Sequence, residues 1–179
     1  MSRLLPSNLA HHRGPLRPVA LTLHALDTLA GWTIIVMLGV MVSVVSLQVL
    51  LRYALSSSFG FADELSRLTF VWSIFLGIPL GIRLGAHIGI EVLSSRFPLP
   101  VQDILARVLA FVAAAMMVLV AWESAEVAFE QWDELMASMN ASAAWFIVAV
   151  SVGCTHSALH LAWIGLTGKP PMSAKGSTE

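Results

Sequence analysis

Residues 63–100 read DELSRLTFVWSIFLGIPLGIRLGAHIGIEVLSSRFPLP, and the fold turns on this stretch. An acid pair, Asp63 and Glu64, opens it, and an apolar run follows. Four glycines, Gly77, Gly81, Gly85 and Gly89, recur at a spacing of four. Arg83, His87 and Glu91 share one helical face, and Pro98 and Pro100 close the segment. In a soluble helix each such glycine would cost about 1 kcal/mol relative to alanine. In a bilayer the same spacing makes a flat line on which a second helix packs closely.

Composition supports the bilayer. The chain has 179 residues, of which 57% are hydrophobic and 12% charged, with a mean hydropathy of +0.79. Soluble domains average about 25% charged residues. The net charge of −1 and the scattered Lys and Arg offer no surface for nucleic acid. The lone cysteine, Cys154, lies in an apolar run, has no partner for an intrachain disulfide and reads as a small buried side chain.

Outward from the opening stretch, hydropathy marks an all-α integral membrane protein with four transmembrane helices and an interfacial amphipathic segment after the second. Residues 1–24 form a basic, proline-broken tail. The apolar run 29–51 is longer than the ~7–15 residues of a cleavable signal core, so it reads as a retained first helix. The second helix is expected over 63–84, with Asp63 and Glu64 in its first turn and Pro79 as a kink. Residues 85–100 resemble a segment lying in the headgroup zone. The third helix is expected over 101–132 and the fourth over 143–166. Residues 25–168 then form one four-helix membrane domain and 169–179 a cytoplasmic C-terminal tail, of which 172–179 read as disordered.

Orientation follows from Lys and Arg. With both termini cytoplasmic, eight of the ten positive charges lie inside, and only Arg52 and Arg67 do not. Trp122, Trp132 and Trp145 would then mark the outer interface and Trp163 the inner one.

Each constellation has a plain reading beside a functional one. Glu64 and Arg67, three apart, form an interfacial ion pair or a contact with another protein. The glycine line packs inside this chain or against a partner subunit. Arg83, His87 and Glu91 are the wetted face of the interfacial segment, or a relay or lipid-phosphate site. His156 and His160, at i and i+4, are polar packing residues, or ligands for a metal or a haem. A metal site needs three or four ligands, and no third is evident, so no cofactor or metal is expected. Glu123, Glu126 and Glu130 share a face beside Trp122 and Trp132 and read as a solvated or partner-facing surface. The apolar centres of the first and third helices hold no ionisable group, and no pair of broken helices marks a substrate path. The chain therefore reads as an accessory or scaffolding subunit and not an enzyme.

The motif residues sharpen this. Asp63-Glu64-Leu-Ser-Arg67, Val71-Trp72, Phe75-Leu76-Gly77, Gly81-Ile-Arg83, Gly85-Ala-His87-Ile88 and the Leu99-Pro100 exit resemble the small membrane subunit of tripartite ATP-independent periplasmic (TRAP) transporters, the DctQ-like family. Phe59 and Phe61 stand where members often have Trp, and Glu91 where they often have Asp. The resemblance implies a bacterial inner-membrane complex for sodium-driven uptake of organic acids of the dicarboxylate, keto acid or sugar acid class. Its large subunit (M) carries the substrate and sodium sites, and a periplasmic binding protein (P) delivers the acid. The small subunit widens the static scaffold in the lipid bilayer. Carried over, Glu64, Arg67, Gly77, Gly81, Arg83, Gly85 and His87 are assigned to subunit contact and helix packing. Glu123, Glu126 and Glu130 are assigned to docking of the binding protein. The alternatives are a haem-binding membrane anchor of a redox complex, using His156 or His160, and an accessory chain of an unrelated membrane complex.

Overall fold

The computed structural model describes residues 17–57, 60–84 and 99–168. They form four helices: α1 (Arg17–Leu55), α2 (Ala62–Arg83), α3 (Leu99–Glu130) and α4 (Ala144–Thr167). All four are long and apolar enough to cross a membrane. The interfacial segment with Gly85, His87, Gly89 and Glu91, the two tails as far as 16 and from 169, and Phe59 lie outside the described residues.

Three of the helices lie within two residues of the hydropathy limits at each end, where assignments normally differ. The first is a correction. α1 begins at Arg17, twelve residues before the expected start, and ends at Leu55. Pro18 falls in its first turn, where a missing N–H costs nothing. His24 and Asp27 lower the hydropathy without breaking the backbone ladder, so an edge drawn by hydropathy fell short. At ~1.5 Å per residue α1 far exceeds a ~30 Å bilayer core.

The helices pack in the order α1, α2, α4, α3, each against the next. A small core gathers Ile82 of α2, Ala114 of α3 and Leu161 of α4. α1 stands at the edge, packed chiefly on α2. No residue of its most hydrophobic 18-residue window is buried. Its buried residues, Leu23, Asp27 and Ala30, form one i, i+4, i+7 line near its start.

α2 and α4 come into close contact at Gly153. A Cβ placed on Gly153 would lie 2.5 Å from the carbonyl oxygen of Phe75. Pro79 is fully buried and has no N–H, so that carbonyl lacks its helical partner four residues on. The glycine hydrogen that takes the place of a Cβ points at it, a Cα–H···O contact worth about 0.5–1 kcal/mol. Ala149, Gly153 and Ser157, all buried, form the small-residue line that lets α4 come so near. α4 ends at Gly168, whose φ of 69° lets its N–H return to the Ile164 carbonyl at 2.7 Å.

At the opposite end of the helices, residues 131–143 form a compact loop. Leu135 and Ser142 pair as an antiparallel bridge, and the Met136 N–H donates to Ala141 at 2.9 Å. Trp145 sits 6.5 Å from Trp72 and 6.0 Å from Trp132, centroid to centroid. Trp163, expected as an interfacial anchor, is instead 5% exposed inside the protein.

Candidate functional site

Two features stand out, a buried polar node near one end and an open face along α2.

The node is built on Asp27, which is 3% exposed. Its Oδ2 accepts a hydrogen bond from Arg83 Nη1 at 3.1 Å. Its Oδ1 lies 3.1 Å from His156 Nε2 and 2.7 Å from His160 Nε2. The i, i+4 spacing on α4 stacks the two imidazoles, centroids 5.0 Å apart, so both face one carboxylate. Three helices thus meet through one side chain: α1 gives the acid, α2 the guanidinium and α4 both imidazoles. An isolated buried carboxylate would be strongly unfavourable, and three donors on two oxygens offset that. Arg83 Nε and His160 Nδ1 are buried without a hydrogen-bond partner among the described residues.

This placement revises several readings. Arg83 was expected on the wetted face of the interfacial segment; it turns inward to Asp27. His156 and His160 are buried, as packing residues would be, but they converge on a third group that residue spacing did not reveal. Asp27 was missed because the first helix was started at Leu29. The available signal was the helical register of Leu23, Asp27 and Ala30, with no breaker after Pro18. The haem alternative gains nothing from this geometry, since both Nε2 atoms are directed at Asp27.

The open face runs along α2 through Arg67, Phe70, Ile74, Gly77 and Gly81. Arg67, Phe70 and Ile74 are exposed, and a Cβ on Gly77 or Gly81 would meet nothing within 4 Å. Among the described residues, then, nothing packs on the Gly77–Gly81 part of the glycine line. Beside it, Met41, Val42 and Val45 of α1 with Ser66, Arg67 and Phe70 border a groove of about 350 Å³.

Glu64 does not pair with Arg67. Its Oε2 accepts the backbone N–H of Ser138 at 2.9 Å, tying the start of α2 to the α3–α4 loop. Gln48 reaches Asp63 at 3.3 Å and ties α1 to the same end. Glu123, Glu126 and Glu130 are all exposed on α3, and Glu126 accepts from Trp122 Nε1 at 2.9 Å.

Similarity to known proteins gives these features a setting. The family model described as "Tripartite ATP-independent periplasmic transporters, DctQ component" matches residues 41–164. Two Haemophilus influenzae proteins named as TRAP transporter small permease proteins are similar. One is 36% identical over 61 residues, 34% of this chain and 38% of the relative. The other is 24% identical over 127 residues, 71% of this chain and 77% of the relative. The C4-dicarboxylate TRAP transporter small permease protein DctQ of Pseudomonas aeruginosa is 37% identical over 51 residues, 28% of this chain and 24% of the relative. Two of these matches thus span well under half of the relative's length. The family match, by contrast, takes in the C-terminal part of α1 from residue 41, all of α2 and α3 and most of α4. The chain belongs to the DctQ family: it is a small permease subunit of a TRAP transporter, a multi-pass protein of the bacterial inner membrane and not an enzyme.

Proposed function

We propose that this chain is the static scaffold of a sodium-driven TRAP transporter for organic acids of the dicarboxylate, keto acid or sugar acid class. It binds the large transport subunit in the bilayer and helps the periplasmic binding protein to dock. The observation that carries the reading is the open edge of the helix row. The most hydrophobic window of α1 has no buried residue, and the neighbouring face of α2 presents two glycines to open space. Lipid or another helix must cover that edge, and a small-residue line favours close approach by a helix. The name of the Pseudomonas aeruginosa relative supports the dicarboxylate end of the substrate range.

The contact residues divide into two groups. Glu64 and Arg83 act within the chain, on Ser138 and Asp27. Arg67, Gly77 and Gly81 are left for the large subunit, and Gly85 and His87 continue that contact where the chain turns along the inner surface. Both termini are cytoplasmic, by the distribution of Lys and Arg. Glu123, Glu126 and Glu130 then face the periplasm and the binding protein.

Co-purification with the large subunit, followed by uptake in proteoliposomes under a sodium gradient, tests the proposal. A stable two-subunit complex whose uptake needs this chain, the binding protein and sodium is expected. Uptake at full rate without this chain would overturn the scaffold role.

A further inference from the structure

We propose that Asp27, His156 and His160 form a binding site for a divalent transition-metal ion of zinc's class. The donor geometry carries it, independently of the transport reading. One ligand atom from each residue lies within 4.8 Å of the other two, and all three residues are buried. Zinc takes imidazole nitrogen at about 2.0–2.1 Å and carboxylate oxygen at about 2.0–2.2 Å, so donors around one ion stand roughly 3.0–3.5 Å apart. Asp27 Oδ1 is 3.1 Å from one imidazole nitrogen and 2.7 Å from the other. His160 Nε2 must draw back from Oδ1 by a few tenths of an ångström, and the two imidazole nitrogens, within 4.8 Å of each other, must close to a similar spacing.

The donor types choose the ion. Two imidazoles and one carboxylate suit zinc, cobalt, nickel or copper, whereas calcium and magnesium require oxygen ligands. Two histidines at i and i+4 on a helix are a spacing that brings two imidazoles onto one zinc. Arg83 holds Oδ2 at 3.1 Å, which leaves Oδ1 as the single ligating oxygen and orients it, as an outer-shell partner does.

A second observation points the same way. Plain packing would be served by apolar side chains. Instead the node holds His160 at 0% exposure, its Nδ1 without a hydrogen-bond partner among the described residues. Unpaired buried polar atoms are few in native interiors and call for a specific reason. Access exists beside the site. A crevice of about 430 Å³ between α1, α2 and α4, bordered by Leu26, Ala30, Trp72, Leu76 and Thr155, opens onto His156. It has room for a water as fourth ligand. The Arg83 charge opposes a cation, so affinity falls below that of a site with a neutral outer shell.

The test uses the full chain in nanodiscs, stripped with chelator and titrated with Zn²⁺ against a chromophoric competitor and with Co²⁺ as a spectroscopic probe. One equivalent of Zn²⁺ and a Co²⁺ ligand-field band of four-coordinate strength are expected. His156→Ala or His160→Ala weakens binding by about 100-fold or more, since even outer-shell changes cost roughly 10–100-fold. A variant with His11, His12, His24 and His87 all replaced by Ala keeps only the α4 pair, and retains both signals. Absence of the Co²⁺ band in the unaltered chain, or loss of Zn²⁺ binding in the four-histidine variant, overturns the site. So does unchanged binding in both α4 variants with helicity intact.

Discussion

The two faces of α2 use similar chemistry for opposite ends. On the inward side the helix gives up a hydrogen bond at Pro79, and Gly153 of α4 closes on the exposed Phe75 carbonyl. Arg83 then finishes the helix by pairing with Asp27. On the other side Gly77 and Gly81 repeat the spacing of Ala149, Gly153 and Ser157, yet meet nothing within 4 Å. A small-residue line is thus permission for close approach, and a neighbour within the chain decides whether it is taken up. The line on α4 is consumed in folding; the one on α2 is open among the described residues, and we propose that another subunit covers it.

The largest effect is expected where the inward face carries charge. Asp27→Ala leaves Arg83 facing two imidazoles with no carboxylate. Removing one partner of a buried pair costs about 3–5 kcal/mol, and the 18% exposure of the Arg83 side chain sets the lower end of that range. Thermal melting of the purified chain in detergent should fall accordingly. A melt within a degree of the unaltered chain would mean that the node does not hold α1 to α2 and α4.

A sign test comes next. Gly153→Ala puts a methyl group 2.5 Å from backbone oxygen, which cannot move aside as a flexible side chain would. Overpacking of this kind costs about 1–3 kcal/mol. Gly77→Ala and Gly81→Ala place the same methyl in open space and remove a helix-weakening glycine, so they should be neutral or stabilising. Opposite signs in three parallel melts sharpen the contrast between the faces, and equal signs break it.

Hydropathy made all four helices legible, because runs of twenty or so apolar residues survive any uncertainty about packing. It failed at Asp27 for a physical reason: an ion held by three donors is as buried as a leucine, but scores as a surface residue. The His156–His160 pair was visible by its spacing, while its third member lay some 130 residues away on a helix whose start had been misplaced. Glu64 looked like a partner for Arg67 because i, i+3 neighbours meet on a helix; a loop amide 74 residues on competes better. The glycine line was equally plain on α2 and, as Ala149-Gly153-Ser157, on α4. Which of them packs inside the chain is set by Phe75 and Pro79, and spacing alone does not encode it.

Gly81→Leu carries the comparison to the complex. The isolated chain should melt close to the unaltered one, since a Cβ at this position meets nothing within 4 Å among the described residues. Co-purification with the large subunit should drop severalfold, and uptake should fall in proportion to the complex that remains. Intact assembly with changed substrate preference would contradict the scaffold assignment, because a side chain on this face would then be reaching the transport path.

The smallest effect is expected from Glu126→Lys with Glu130→Lys. Both residues are exposed, so stability should stay within about 0.5 kcal/mol, as for surface substitutions in general. Trp122 loses its acceptor on Glu126, but its ring is exposed and water can replace the bond. The change should appear in association with the binding protein: a slower on-rate, most evident at low ionic strength, because exposed charges steer encounter more than they hold a complex. Uptake at limiting substrate would fall while uptake at saturating binding protein recovers. Unchanged uptake with unchanged affinity for the binding protein would remove the acidic end of α3 from the docking surface, and the open face of α2 would then be the only part of the described chain proposed to meet another subunit.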